Sequence, residues 1–184
     1  MEHAAAPLIW PIYPKILQDL FLQTFVAGMK APNLRALTGQ WMEALAAVLD
    51  QRQTCPACGS EQFGAQQSCW HCHQSLTPGL ALRSANGRVM VCAENEVHRH
   101  HFSGLEAMRL DQPIGRVVAH PSDPSLLGLR NLSDESWRAS TTMGQHHDIA
   151  PGKTCNLAAL HQLETPWGAL RLDPASSEPT TPGI

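Results

Sequence analysis

Cys55-Pro56-Ala57-Cys58, a ten-residue spacer and then Cys69-Trp70-His71-Cys72 constrain this 184-residue chain more than any other feature. Two CxxC pairs deliver four soft donors to one point from two tight turns, which matches the tetrahedral preference of zinc. Gly59 permits the backbone turn that follows the second ligand of such a knuckle. Disulfides are the competing reading, and they need an oxidising compartment. The first residues lack a basic stretch followed by an apolar core, so a reducing, cytoplasmic setting is expected. A thioredoxin-type dithiol would use one pair inside a βαβ unit. Four cysteines leave no open coordination position, so the expectation is a structural Zn²⁺ on Cys55, Cys58, Cys69 and Cys72. Such binding is worth roughly 10–16 kcal/mol in finger peptides, enough to fold a segment this poor in large apolar residues. His71 and His73 are weaker competitors and are expected to be exposed, with Trp70 packing against a neighbouring module.

On either side of the cysteines the chain changes character. From about Tyr13 to Gln51 the apolar residues recur at helical spacing. Leu17, Leu20, Phe21, Thr24 and Phe25 mark a first helix with Pro14 in its first turn, ended by Gly28 and Pro32. Trp41, Leu45, Val48 and Leu49 mark a second, with Thr38 as N-cap. Beyond the cysteines, short β-prone runs recur about every ten residues: 80–85, 88–93, 116–119, 127–132, 137–141, 154–160 and 169–172. Asn86-Gly87 signals a type I′ hairpin between the first two. Evenly spaced strands without intervening helices predict a sandwich or barrel. The fold class is therefore α+β, divided as a helical segment 1–53, a zinc knuckle 54–75, a β domain 76–173 and a disordered tail 174–184.

The formal net charge of −3, from 13 Lys and Arg against 16 Asp and Glu, argues against non-specific nucleic-acid binding. No apolar run approaches the roughly 18 residues that span a bilayer. His98, His100 and His101 invite a metal reading, but on a strand they would face opposite sides; one or two structural histidines beside exposed ones is the simpler expectation. Gly152-Lys153-Thr154 lacks the earlier glycine of a phosphate-binding loop, since position 147 is His, and reads as a turn. Cys92 and Cys155 read as buried, inert thiols. No nucleophile elbow, HExxH or paired carboxylates suggest assembled acid–base chemistry.

A family likeness extends this reading. Leu20-Phe21, Phe25-Val26-Ala27-Gly28 and Trp41-Met42-Glu43-Ala44-Leu45 resemble the last two helices of a protein-kinase C-lobe. The glycine-rich loop, the His-Arg-Asp loop and Asp-Phe-Gly are absent, so no catalysis is expected from this chain, and a longer kinase parent is implied. The two CxxC pairs, Arg99-His100-His101, His120-Pro121-Ser122-Asp123-Pro124, Gly128-Leu129-Arg130-Asn131-Leu132-Ser133 and Trp137 are similar to the tail of bacterial Ser/Thr kinases of tellurite-resistance-associated operons. The resemblance implies a module that docks a TerY-type von Willebrand A-domain protein, in an assembly that includes a metal-dependent protein phosphatase. It also implies Mg²⁺ at the partner's adhesion site, completed by a carboxylate for which Asp123 and Asp134 are the candidates. The strand region resembles a forkhead-associated (FHA) sandwich, through Leu129-Arg130-Asn131-Leu132-Ser133 and Ile149-Ala150-Pro151-Gly152. That likeness implies an alternative, a phosphothreonine-peptide reader with Arg130 and Ser133 as donors. Asp134-Glu135-Ser136 stands where an Asn-Gly-Thr loop belongs, and its acidic groups would repel phosphate.

Overall fold

Pro14 sets where helix can begin, because it offers a carbonyl but no N–H. In the computed structural model, which describes residues 9–76, 79–104 and 108–175, its carbonyl accepts from the N–H groups of Leu17 (3.0 Å) and Gln18 (3.3 Å). Helix α1 (Lys15–Leu22) starts there and continues through a π-helical turn (Gln23–Ala27) into Gly28–Lys30. Gly28 was expected to end the helix, but the chain runs through it and stops before Pro32, which opens a 3₁₀ turn. Helix α2 (Thr38–Asp50) is capped one residue earlier than expected. The Leu37 N–H donates to Oε1 of Gln40 at 2.8 Å, so a reach back from the third helical residue replaces a Thr38 cap.

Leu17, Val48 and Phe63 form the core of this part, with Tyr13 and Trp41 against it. Leu45 and Leu49, expected on the buried side of α2, are 47% and 56% exposed, while Ala44 and Val48 face inward. The Phe21 ring meets Trp41 edge-on at 5.0 Å, and the small Ala44 is fully buried. Strands β1 (Arg52–Thr54) and β2 (Glu61–Phe63) pair antiparallel, Arg52 opposite Phe63 and Thr54 opposite Glu61. The helices and the cysteine segment therefore belong to one compact unit, Met1–Leu76, and the remainder to a second, Thr77–Ile184. Of the expected boundaries, only the one near residue 76 separates units.

The second unit is a two-sheet antiparallel sandwich. Its strands are β3 (Leu80–Arg83), β4 (Arg88–Met90), β5 (Glu96–Val97), β6 (Gly115–His120), β7 (Asp123–Asn131), β8 (Trp137–Thr141), β9 (His146–Ile149), β10 (Thr154–Asn156), β11 (Leu160–Thr165) and β12 (Gly168–Pro174). One sheet runs β10-β7-β6-β5 and the other β4-β3-β12-β11-β8-β9. Leu82, Val117, Leu129, Trp137, Leu163 and Leu170 fill the space between them. The α+β class with an antiparallel sandwich holds. The expected strand 154–160 is two strands, separated by a 3₁₀ turn (Leu157–Ala159) that the Asn156 side chain caps by accepting from the Ala158 N–H. Pro174 and Ala175, assigned to a disordered tail, are ordered: Pro174 pairs with Leu80, and the Ala175 N–H donates to Gly79 O at 2.7 Å. The rest of that tail lies outside the described residues.

Between β3 and β4 the link is a four-residue loop, Ser84–Gly87, in place of a two-residue type I′ turn. Asn86 has no positive φ, which type I′ would demand. Gly87 is required for another reason: a Cβ there would sit 2.7 Å from Cδ2 of His101. The loop holds a short helix, α3 (His100–Ser103), through Asn86 N–H to His101 O at 3.0 Å. Asn131, completely buried at the end of β7, uses its whole amide. Its Nδ2 donates to Glu135 O (2.8 Å) and Ile149 O (3.0 Å), and its Oδ1 accepts from Ser133 N (2.9 Å) and Ser133 Oγ (2.7 Å). Asn131→Leu strands both carbonyls and the Ser133 donors, so it should destabilise the sandwich by about 2–4 kcal/mol, read as a lower urea midpoint for its transition.

Candidate metal centre and interaction surface

The β1–β2 hairpin places the first knuckle. The Cys55 N–H donates to Ser60 O (2.9 Å) and the Gly59 N–H returns to Cys55 O (2.8 Å). The second knuckle repeats the pattern: the Cys69 N–H donates to Gln74 O (2.9 Å) and the His73 N–H to Cys69 O (3.0 Å). Gly59 takes the left-handed position in the first (φ 73°), and His73 takes it in the second (φ 58°), where a side chain is strained. Cys55 and Cys69 are buried, Cys58 and Cys72 exposed, and all are free thiols. The four Sγ atoms lie within 4.8 Å of one another, with Cys55–Cys72 at 3.7 Å and Cys58–Cys69 at 3.6 Å. Tetrahedral zinc with Zn–S near 2.3 Å needs sulfurs about 3.8 Å apart. The cluster thus has the donors and the spacing of a structural zinc site.

Its electrostatics fit the same ion. The Ser60 hydroxyl, 3.4 Å away, and then the Ser60 backbone hold the Cys58 thiol down to about 5. At Cys72 a backbone hydrogen bond from Gln74 acts downward, but desolvation and the crowding of Cys58, Cys69 and Cys55 outweigh it and push the thiol up to about 12. Four anions cannot share this volume without a cation, and a divalent ion removes that obstacle. Trp70, between two ligands, is half-buried and donates from Nε1 to Glu61 O at 2.8 Å. It therefore packs on its own hairpin; His71 and His73 are exposed, as expected.

Asp123 opens β7, opposite His120 at the tip of the β6–β7 hairpin, and is exposed. Its Oδ1 accepts from Ser125 Oγ (2.6 Å) and Ser125 N (3.0 Å), which holds the carboxyl below its usual range, helped by His120. Next to it lies a cavity of about 290 Å³ whose lining includes His120, Val118, Pro121, Leu126, Leu127 and Cys155. Asp134 is also exposed, in the β7–β8 link. Arg130 is exposed on β7, level with Arg116 and Thr154. Ser133, however, commits its hydroxyl to Asn131 Oδ1 and lies against Glu135 O at 3.2 Å. Arg130 and Ser133 sit at one end of the four-stranded sheet, beside the exposed Asp134 and Glu135.

The three clustered histidines depart from expectation: His98, His100 and His101 are all at least nine-tenths buried, because α3 replaces the strand that would have split them. The His98 N–H donates to His101 Nδ1 at 2.9 Å, and the His98 ring lies between Arg109 O (3.1 Å) and Glu96 (3.3 Å). Gly152-Lys153 is a turn between β9 and β10, with Lys153 N–H on Ala150 O. Cys155 is buried, which raises its thiol, as an inert core cysteine would be. The first unit also carries an exposed apolar face not expected from sequence: Leu22, Phe25, Val26 and Met29 on the first helical stretch, Leu37, and Met42, Leu45 and Leu49 on α2 are 46–74% exposed. Their i, i+3, i+4, i+7 spacing was visible. Among the described residues no helix is long and apolar enough to cross a membrane.

No protein-family model, curated protein or solved structure matches this chain.

Two measurements probe the cysteine centre. Zinc should bind one per chain and release protons, since Cys72 must ionise on binding. Affinity should therefore fall by about tenfold or more for each pH unit below neutrality, as competition with a chromophoric chelator would read. His73→Gly relieves the left-handed strain and should stabilise the zinc-loaded unit by about 1 kcal/mol, seen as a higher melting temperature.

Proposed function

We propose that the chain is a non-catalytic protein-interaction module: the tail of a bacterial Ser/Thr kinase that docks a TerY-type von Willebrand A-domain protein in the cytoplasm, within a kinase–phosphatase assembly linked to tellurite resistance. The observation that carries this reading is the β6–β7 hairpin. It offers an exposed, ionised carboxylate, Asp123, held by Ser125 beside an apolar cavity of about 290 Å³. Such a carboxylate is the hard oxygen donor that a Mg²⁺ ion with an open position accepts, and the cavity would take an apolar side chain from the rim of the same partner. The apolar faces of α1 and α2 add a second contact surface, larger than the scattered apolar residues usual on monomers. A structural Zn²⁺ on the four cysteines would hold the first unit rigid while contacts form.

The FHA likeness keeps a phosphothreonine reader as the alternative, and the two-sheet antiparallel sandwich is consistent with it. Arg130 is available for it, but the Ser133 hydroxyl is already donated inside the loop and two carboxylates flank it. Docking is therefore favoured.

Purified A-domain partner immobilised with Mg²⁺ should retain this protein, and Asp123→Ala should weaken capture at least tenfold, whereas Asp134→Ala should not. Chelation of Mg²⁺ should match the Asp123 variant. Equal capture by both variants rejects the carboxylate contact, and a preference for a phosphothreonine peptide over its unphosphorylated form would favour the reader instead.

A further inference from the structure

The four cysteines divide in a way that the metal reading leaves unused. In each CxxC pair the first residue is buried and the second exposed: Cys55 and Cys69 inside, Cys58 and Cys72 outside. Two short sulfur–sulfur approaches join one knuckle to the other, and each sets an exposed thiol against a buried one. Cys58 Sγ lies 3.6 Å from Cys69 Sγ, and Cys72 Sγ lies 3.7 Å from Cys55 Sγ. A disulfide bond is about 2 Å long, so each approach needs about 1.6 Å of closure, shared between two side chains. The other two cysteines, Cys92 and Cys155, are buried in the second unit.

We propose that this centre is an oxidative modification site for hydrogen peroxide, at which Cys58 and Cys72 are oxidised first and Cys69 and Cys55 then close the disulfides Cys58–Cys69 and Cys55–Cys72. A cysteine that ligates zinc is held as the thiolate, the form that peroxide attacks, and exposure decides which thiolate is reached. The exposed sulfur takes one oxygen from H₂O₂ and becomes a sulfenic acid as hydroxide leaves. The facing thiolate then attacks that sulfur, the S–O bond breaks, a second hydroxide leaves and the S–S bond forms. Two peroxides and four protons thus convert four thiolates and their Zn²⁺ into two disulfides, free Zn²⁺ and four waters. The paired sulfurs carry no charge and no longer hold the ion. Both bonds span the knuckles, so the β1–β2 hairpin stays tied to the Ser68–Ser75 bridge after the ion is lost. Pairs closed inside each CxxC turn would undo that tie. In a reducing compartment such bonds are transient and report oxidation. The inference rests on the cysteine centre and not on the docking partner.

The test uses the full chain, with its zinc content measured first. A chain that takes up no zinc ends the metal reading and this proposal together, whereas zinc that stays bound under peroxide ends this proposal alone. Two equivalents of H₂O₂ should release the ion to a chromophoric chelator, and a dithiol should restore binding. After alkylation of remaining thiols, cleavage at Glu61 parts the two CxxC sequences. The fragments should stay linked, with tandem mass spectra placing Cys58 on Cys69 and Cys55 on Cys72. Cys92 and Cys155 should be at least tenfold less oxidised. The oxidised chain should keep the thermal transition of the first unit, which chelation of the reduced chain abolishes. Fragments that separate, Cys58 joined to Cys72, or zinc loss with sulfinic acids and no disulfide overturns the proposal.

Discussion

Four sulfurs within 4.8 Å of one another are the constraint on which the first unit depends. Apart from the β1–β2 hairpin and one bridge between Ser68 and Ser75, residues 52–76 contain little regular structure. Their apolar content is small, and the nearby core amounts to Leu17, Val48 and Phe63 with two partly buried rings. Hydrophobic burial on that scale is below what usually holds a small unit together, so an ion shared by the four thiolates would contribute a large share. The opposed behaviour of Cys58 and Cys72 expresses the same fact, since one thiol ionises readily and the crowding then resists the next.

The sandwich needs no such help. Its core gathers Leu82, Leu129, Trp137, Leu163 and Leu170 from both sheets, and the completely buried amide of Asn131 is fully hydrogen-bonded. Asn131 fastens the end of β7 to the β7–β8 link and to β9 at once, which keeps this end of the sandwich from fraying. The same bonds consume Ser133, so the residue that would serve a phosphate ligand is occupied by architecture.

What was legible from sequence divides along physical lines. The clustering of Cys55, Cys58, Cys69 and Cys72 could be read because four identical donors at CxxC spacing have few other uses. Trp137–Thr141 could be placed to the residue, since its alternation and flanking turns agree. Leu45 and Leu49 were misplaced because helical periodicity defines a face but not which face meets a partner; Trp41 and Phe21 decided that through ring packing. The histidines depart from their expected placement for a related reason. Alternation assumes a strand, whereas α3 forms because Asn86 and Ser84 bind its backbone from a loop distant in sequence.

The distribution of reactive side chains bears on function more than any single motif. The Ser133 hydroxyl is tied to Asn131, Cys155 is sunk in the core with its thiol raised, and His98 and His101 engage one another within the fold. What reaches solvent is of a different kind: an ionised Asp123 beside an apolar cavity, and two helix faces bearing large aliphatic side chains. Exposed apolar surface carries a solvation cost that burial against another surface removes. A single ordered carboxylate, in turn, does little alone and becomes useful where a partner supplies a cation. On the docking reading proposed above, both features would gain their meaning from a second macromolecule, the carboxylate through a partner's cation and the helix faces through burial.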